Sequence, residues 1–283
     1  MENYITYDEA VKWMREQPEQ ENLVKLCYLD EDNLDAAKRF SVSEEFSTAK
    51  QLLNTTSQSK ALRILDLGCG NGIASYAFAS LGHDVIATDP DLSKDVGLGA
   101  TERLSRFIQA GSISVVQGSA EDLPFKNGSF DVVYARQALH HFSNLYQGVA
   151  ECSRVLKPGG LFLATREHVI TDENQLQEFL DNHILHQLHG GENAHTLDAY
   201  IGVLQQADFQ KIKVLKTFDS VINHFPMSNL DLRKSLIKSL TNKLGEKAAF
   251  VLSRVAFVEK IYRYRLSQTC NSPGRLYSFR CYK

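Results

Sequence analysis

Leu65-Asp66-Leu67-Gly68-Cys69-Gly70-Asn71-Gly72-Ile73-Ala74 is the stretch on which the fold turns. An apolar run over 63–67 ends in three glycines at alternate positions, and a helical pattern begins at once. Glycine tolerates the left-handed backbone of a tight turn and lets a ligand come close. The helix start adds unpaired N–H groups and a positive dipole, which suit a carboxylate or phosphate. A dinucleotide loop wants G-x-G-x-x-G/A, but its last position here is Ile73, bulky and β-branched where close helix packing is needed. The spacing is instead acid-x-Gly-x-Gly-x-Gly.

Outward from this loop, short apolar runs alternate with helical patterns. Strands are predicted at 63–67, 84–88, 112–117, 130–134, 161–165, 212–215 and 275–282, and helices near 73–81, 92–109, 143–156, 173–189 and 197–206. Strands spaced by helices argue for βαβ units and a parallel sheet covered on both faces. The fold class is therefore α/β, a doubly wound, mostly parallel sheet of seven strands with the last returning antiparallel. Residues 1–60 read as an acidic helical cap closed by a polar break at 54–59. Residues 61–283 read as the main domain, with helical insertions at about 170–208 and 228–267, the second as two long helices. Lys157-Pro158-Gly159-Gly160 reads as a turn between helix and strand.

Composition bounds the function. The 31 Lys and Arg nearly balance 34 Asp and Glu, for a net charge of −3, so the chain as a whole does not attract nucleic acid. The acidic start lacks the basic and apolar regions of a signal peptide, and there is no run of 18 apolar residues, so neither export nor a membrane span is expected. Five cysteines with no C-x-x-C pair suggest free thiols in a reducing compartment, the cytoplasm.

More signals follow the glycine loop in order. Asp89 closes the second strand, where a carboxylate can accept both hydroxyls of a ribose. Gly118-Ser119-Ala120-Glu121-Asp122-Leu123-Pro124-Phe125 follows the third, Phe130-Asp131-Val132-Val133-Tyr134 is the fourth, and Leu139-His140-His141-Phe142 lies at its end. Arg154-Val155-Leu156-Lys157-Pro158-Gly159-Gly160-Leu161 leads into the fifth. Over residues 61–166 this ordered set resembles the class I S-adenosylmethionine-dependent methyltransferases, especially the small-molecule branch that includes the ubiquinone and menaquinone biosynthesis enzymes. The resemblance implies S-adenosyl-L-methionine as cofactor and in-line methyl transfer to O, N, C or S of a small molecule. It implies that Gly68 and Gly70 hold the methionine part, with Asp66 reaching its amino group, and that Asp89 takes the ribose. It places Ser119, Ala120 and Glu121 at the adenine, and Ala135 and Arg136 near the sulfonium with their backbone. Many relatives carry Asp where Ser119 stands, so here the hydroxyl, Glu121 or Asp122 must accept from the adenine amino group.

Ligands of such sheets gather outside the carboxyl ends of the strands, which brings 66–72, 135–142 and 165–168 to one rim. His140 and His141 are the candidate bases there, because imidazole titrates near neutral pH. Arg166 and His168, at the mouth of the fifth strand, are candidates for an anionic substrate. Five of nine histidines fall between His168 and His195, with Glu192 and Asn193 alongside. His183, His186 and His189 share one side of a predicted helix, and His186 and His195 join the candidate substrate pocket. Metal ligands usually recur at tighter, convergent spacing, so no metal site is read. Trp13, Tyr28, Arg39 and Phe40 are candidates for a lid.

The 228–267 insert is locally basic. Its apolar runs, 250–252 and 255–258, are expected to pack on the sheet or on a second copy of the chain, a homodimer. An RNA base is a second acceptor class, against which the acidic whole and the lack of an aromatic-basic recognition module weigh. A non-catalytic cofactor-binding protein is a third reading, since a cofactor loop reports binding and not turnover.

Overall fold

The computed structural model describes residues 4–53 and 61–283; the predicted polar break at 54–59 lies outside them. The strands are β1 (Arg63–Leu67), β2 (Asp84–Asp89), β3 (Ser112–Gln117), β4 (Phe130–Arg136), β5 (Leu156–Ile170), β6 (His195–Thr196), β7 (Gln210–Leu215) and β8 (Arg275–Tyr282). They form one sheet in the order β3-β2-β1-β4-β5-β8-β7, with the two-residue β6 beside the end of β5. Neighbours are parallel except β8, which runs antiparallel to both β5 and β7. The seven predicted strands are thus all present.

The central parallel strands β1, β4 and β5 are buried on both faces, so residues next to one another in sequence serve different cores. Ile64 packs with Phe78, Tyr134 and Ile222 on one face. Leu65 packs with Val133, Phe162, Tyr200 and Phe279 on the other. Phe40 and Phe46 from the amino-terminal helices, Asn33–Ser41 and Glu44–Leu53, belong to the first of these cores. Those helices therefore share the core of the sheet.

Three local readings are corrected. The turn at 157–160 lies inside β5, because Gly159 donates to the Lys283 carbonyl (3.0 Å) and Lys283 donates back to Gly160 (3.0 Å). The helix predicted at 173–189 is broken at His183, whose backbone is extended between helices Glu173–Asn182 and Ile184–His189. The 228–267 insert is three helices, Asn229–Leu244, Glu246–Leu252 and Ala256–Thr269, because Gly245 turns at a φ of 80°. Phe250 and Phe257 there are 53% and 68% exposed and do not pack on the sheet. Among the described residues, no helix is long and apolar enough to cross a membrane.

The strand order reverses between β1 and β4, where Leu67 stands beside Ala135. That reversal opens a crevice at the carboxyl ends of the strands. Helices Tyr7–Glu16 and Ile184–His189 meet over it, joined by an Ile5 to Leu188 backbone bond (3.0 Å) and by Tyr7 edge-on to His189.

Candidate active site

The crevice widens into a cavity of about 1030 Å³. Its first wall is the glycine loop. Gly68, Gly70 and Gly72 have φ values of 66°, 50° and 78°, backbone that a side chain rarely adopts. A Cβ on Gly68 would lie 2.7 Å from that of Ala138, so the loop can touch the end of β4 only as glycine. Asp89 steadies the loop, accepting from the Gly70 N–H with one carboxylate oxygen and from Asp91 with the other, both at 2.9 Å. Burial raises the Asp89 carboxyl despite those bonds. Asp66 is 1% exposed and accepts from the Ser75 hydroxyl at 2.6 Å. Burial pushes this carboxyl up to about 6, against the pull of Ser75. A buried carboxyl in that state suits a cationic ligand group.

Ser119, Ala120 and Glu121 line the same cavity. The Ser119 hydroxyl donates to Glu121, which also accepts from the Asn144 N–H. Burial raises the Glu121 carboxyl, but these bonds outweigh it and hold the group below its ordinary range. Asp122 lies outside the lining and pairs its backbone with Ser119. Among the candidates for the adenine amino group, Ser119 and Glu121 therefore remain at the site.

The opposite wall comes from β4, β5 and the 170–208 insert. His140 and His141 sit on a short 3₁₀ turn after β4. Glu167, fully buried, accepts from the Ala138 N–H (3.1 Å) and lies 2.8 Å from His140 Nδ1. The carboxylate accepts from Nδ1, so when the ring is neutral Nε2 carries the lone pair. That Nε2 faces Glu192 Oε2 at 3.6 Å. His168 Nδ1 lies 2.8 Å from the Gly274 carbonyl, which likewise leaves Nε2 bare. One ligand atom each from His140, His168 and Glu192 lie within 4.8 Å of one another. Burial lowers His140, but Glu167 and Glu192 outweigh it and hold the ring up to about 9. Burial and then His140 push His168 down to about 3. His141 Nδ1 donates to the Gly191 carbonyl at 3.1 Å, which leaves the lone pair of the neutral ring on Nε2, 3.8 Å from Glu192 Oε2.

Asp66, Gly68, Gly70, Asp89, Ser119, Ala120 and Glu121 thus share one cavity with His140, His141 and His168. Five other candidates stand apart from that group. Ala135 is buried within β4. Arg136, expected there through its backbone, borders the cavity, while its guanidinium forms a two-pronged pair with buried Glu45 (2.7 and 3.2 Å) and lies over the rings of Tyr28 and Phe40. Arg166 is no substrate anchor: it is 8% exposed, outside the cavity lining, and donates to the carbonyls of Ile222 and Phe225, both at 3.0 Å. Its φ of 62° falls at the register shift between β5 and β8. His186 and His195 also lie outside the lining, His186 edge-on to Tyr4 and His195 edge-on to Tyr200. The break at His183 leaves His183 and His189, without His186, on the cavity wall. Among the lid candidates, Tyr28 and Phe40 are core residues, Arg39 pairs with Asp30, and Trp13 is 37% exposed. Tyr7 covers the cavity instead.

From sequence Glu192 is noted only alongside the histidine cluster, and Glu167, next to His168, is not a candidate. Glu45 gave no signal, because its partners Arg136 and Arg166 are distant in the chain. The absence of convergent spacing hid the grouping of His140, His168 and Glu192, which three separate segments supply.

The strand order and site define a Rossmann-like methyltransferase fold. Residues 65–164 match the family described as "Methyltransferase domain". The chain is 36% identical over 129 residues to the Uncharacterized methyltransferase YcgJ of Bacillus subtilis, covering 43% of this chain and 46% of that protein. It is 30% identical over 132 residues to a Ubiquinone biosynthesis O-methyltransferase of Agrobacterium fabrum, covering 47% of this chain and 51% of that one. It thus spans about half the length of these curated relatives. The solved Haemonchus contortus Phosphoethanolamine N-methyltransferase 2, in complex with S-adenosyl-L-methionine, superposes with a TM-score of 0.54 at 19% identity, over 85% of this chain and 52% of that one. The YcgJ structure superposes at 0.52 and 23% identity, over 84% of this chain and 97% of that one.

Proposed function

We propose that the chain is an S-adenosylmethionine-dependent methyltransferase acting on a small-molecule acceptor in the histidine-lined half of the cavity. The observation that carries this reading is the single cavity that joins the glycine loop, Asp66 and Asp89 to the His140–His141 turn. The fit rests on the donor set: a carboxyl at Asp66 raised by burial and bonded to the Ser75 hydroxyl, and a loop whose close turn excludes side chains. The bound cofactor would supply a methyl group on a sulfonium, already activated toward displacement.

The chain's own residues then have three tasks. Asp66 pairs with the amino group and Asp89 accepts from the ribose hydroxyls. Ser119 and Glu121 flank the adenine. The roof from Tyr7 and helix Ile184–His189 excludes water and aligns the acceptor, where much of the rate of such a displacement arises. His141, whose neutral ring keeps its lone pair on Nε2, takes a proton from an acceptor that carries one. None of residues 228–267 borders the cavity.

The test is to incubate the protein with methyl-labelled S-adenosylmethionine and a panel of phenols, thiols, amines and carboxylic acids, and to follow S-adenosylhomocysteine. Release that depends on one acceptor class is the expected result. Tight cofactor binding with no transfer to any member would overturn the enzymatic reading in favour of a non-catalytic binding protein.

A further inference from the structure

We infer that His140, His168 and Glu192 form a binding site for one divalent transition-metal ion of the zinc type, open toward the acceptor half of the cavity. Two imidazoles and one carboxylate are the ligand set of catalytic zinc, which keeps a further position for water or substrate.

Three observations converge. Both histidines have Nδ1 committed, His140 to Glu167 and His168 to Gly274, each at 2.8 Å, so each has Nε2 left for an ion, which at His140 would displace a proton. A ring held through its other nitrogen by a carboxylate or a carbonyl is the usual support of a metal-bound histidine. The distance between His140 Nε2 and Glu192 Oε2 is 3.6 Å. That is too long for a hydrogen bond. It is close to the roughly 3.3–3.5 Å between ligand atoms placed about 2.0–2.1 Å from a tetrahedral ion. Finally, Glu192 binds directly and Glu167 backs His140, so two carboxylates balance a charge of two. All three ligands border the cavity, which gives the ion a path in and one open side.

The competing occupant of this centre is a proton on His140, making an imidazolium between Glu167 and Glu192. A proton would not recruit His168, whose bare Nε2 belongs to the same cluster.

What the ion would do rests on the methyltransferase reading; that it binds does not. An acceptor O–H or S–H drawn onto the open position gives up its proton to His141 and on to solvent. The resulting oxygen or sulfur lone pair forms the new bond to the methyl carbon. The carbon–sulfur bond of the sulfonium breaks, and its electron pair stays on sulfur as a thioether.

The experiment uses the full chain stripped with a chelator and titrated with Zn²⁺ alone by calorimetry, with Co²⁺ as a spectroscopic probe. One equivalent should bind, and cobalt should give visible bands of low-symmetry nitrogen and oxygen coordination without thiolate charge transfer. His168→Ala and Glu192→Gln should each weaken binding at least tenfold. Glu167→Gln, which touches no ion, should weaken it by about 10–100-fold. His83→Ala, outside the cavity lining, should change nothing. Thermal melts without metal establish that each variant folds. Absence of stoichiometric binding, a thiolate signature, or binding that survives in the His168→Ala/Glu192→Gln double variant would overturn the site. S-adenosylhomocysteine affinity measured on the same stripped protein tests the methyltransferase reading separately. Failure of one is therefore not mistaken for failure of the other.

Discussion

Asp66 is the residue at which the fold is strained for a ligand, and replacing it with asparagine isolates that strain. The side chain keeps its shape and can still accept from Ser75, while the charge is removed. The carboxyl is held at about 6 in the folded chain against an ordinary 3.8, with burial as the leading cause. That difference corresponds to about 3 kcal/mol of stability forgone whenever the group is ionised. The sign follows from which state holds the proton more tightly. Between pH 4 and 6 the folded chain keeps a proton that the unfolded chain has lost, so raising the pH destabilises the wild type through this window. Above it the penalty is constant. Asp66→Asn should therefore be more stable than the wild type at pH 8, with a melting temperature raised by about 5–10 °C for a chain of this size. The gain should shrink as pH falls through 6 and vanish near 4. The same variant should lose most of its affinity for S-adenosylhomocysteine, because the cationic amino group loses its counter-charge. The assay is a pair of thermal melts across pH with a binding titration at pH 8. A variant no more stable than wild type at pH 8, or a gain that does not vary with pH, would refute the reasoning.

Three more outcomes follow from the same geometry. Asp89→Ala strips the Gly70 and Asp91 N–H groups of their acceptor and the ribose of its partner; cofactor affinity should fall by about 1.5–3 kcal/mol, read by calorimetry, and unchanged affinity would remove the ribose assignment. Gly68→Ala forces a side chain at a φ of 66° against Ala138; it should cost about 1–3 kcal/mol in a denaturant melt and weaken cofactor binding at the same time. Glu45→Ala leaves the Arg136 and Arg166 guanidinium groups buried without their carboxylate; a loss of about 3–5 kcal/mol in denaturant melts is expected. Burial raises the Glu45 carboxyl, but the two arginines outweigh it and hold the group low, so the wild-type contribution is present at neutral pH and is lost on acidification below the carboxylate range.

How much of this was legible in the sequence depended on distance along the chain. The glycine loop, Asp89 and the Ser119–Glu121 turn could be read because each is a local pattern on a strand end. The seven strands could be read because short apolar runs alternate with helical periodicity. Arg166 misled because its position at a strand mouth does not say where its side chain goes, and only the carbonyls of Ile222 and Phe225 show that. His186 and His195 misled through abundance: a cluster in sequence is not one in space, and His186 on its short helix and His195 in β6 both fall outside the cavity lining. Conversely, Glu192 meets His140 and His168 through a loop whose path no periodicity encodes.

The central claim is that the glycine loop and Asp89 hold S-adenosylmethionine, and one titration addresses it most directly. Purified protein is titrated by calorimetry with S-adenosylhomocysteine and, side by side, with NAD. Micromolar, one-to-one binding of S-adenosylhomocysteine with no heat from NAD is the predicted result. Binding of NAD with none of S-adenosylhomocysteine would contradict the account and return the loop to the dinucleotide reading that Ile73 speaks against.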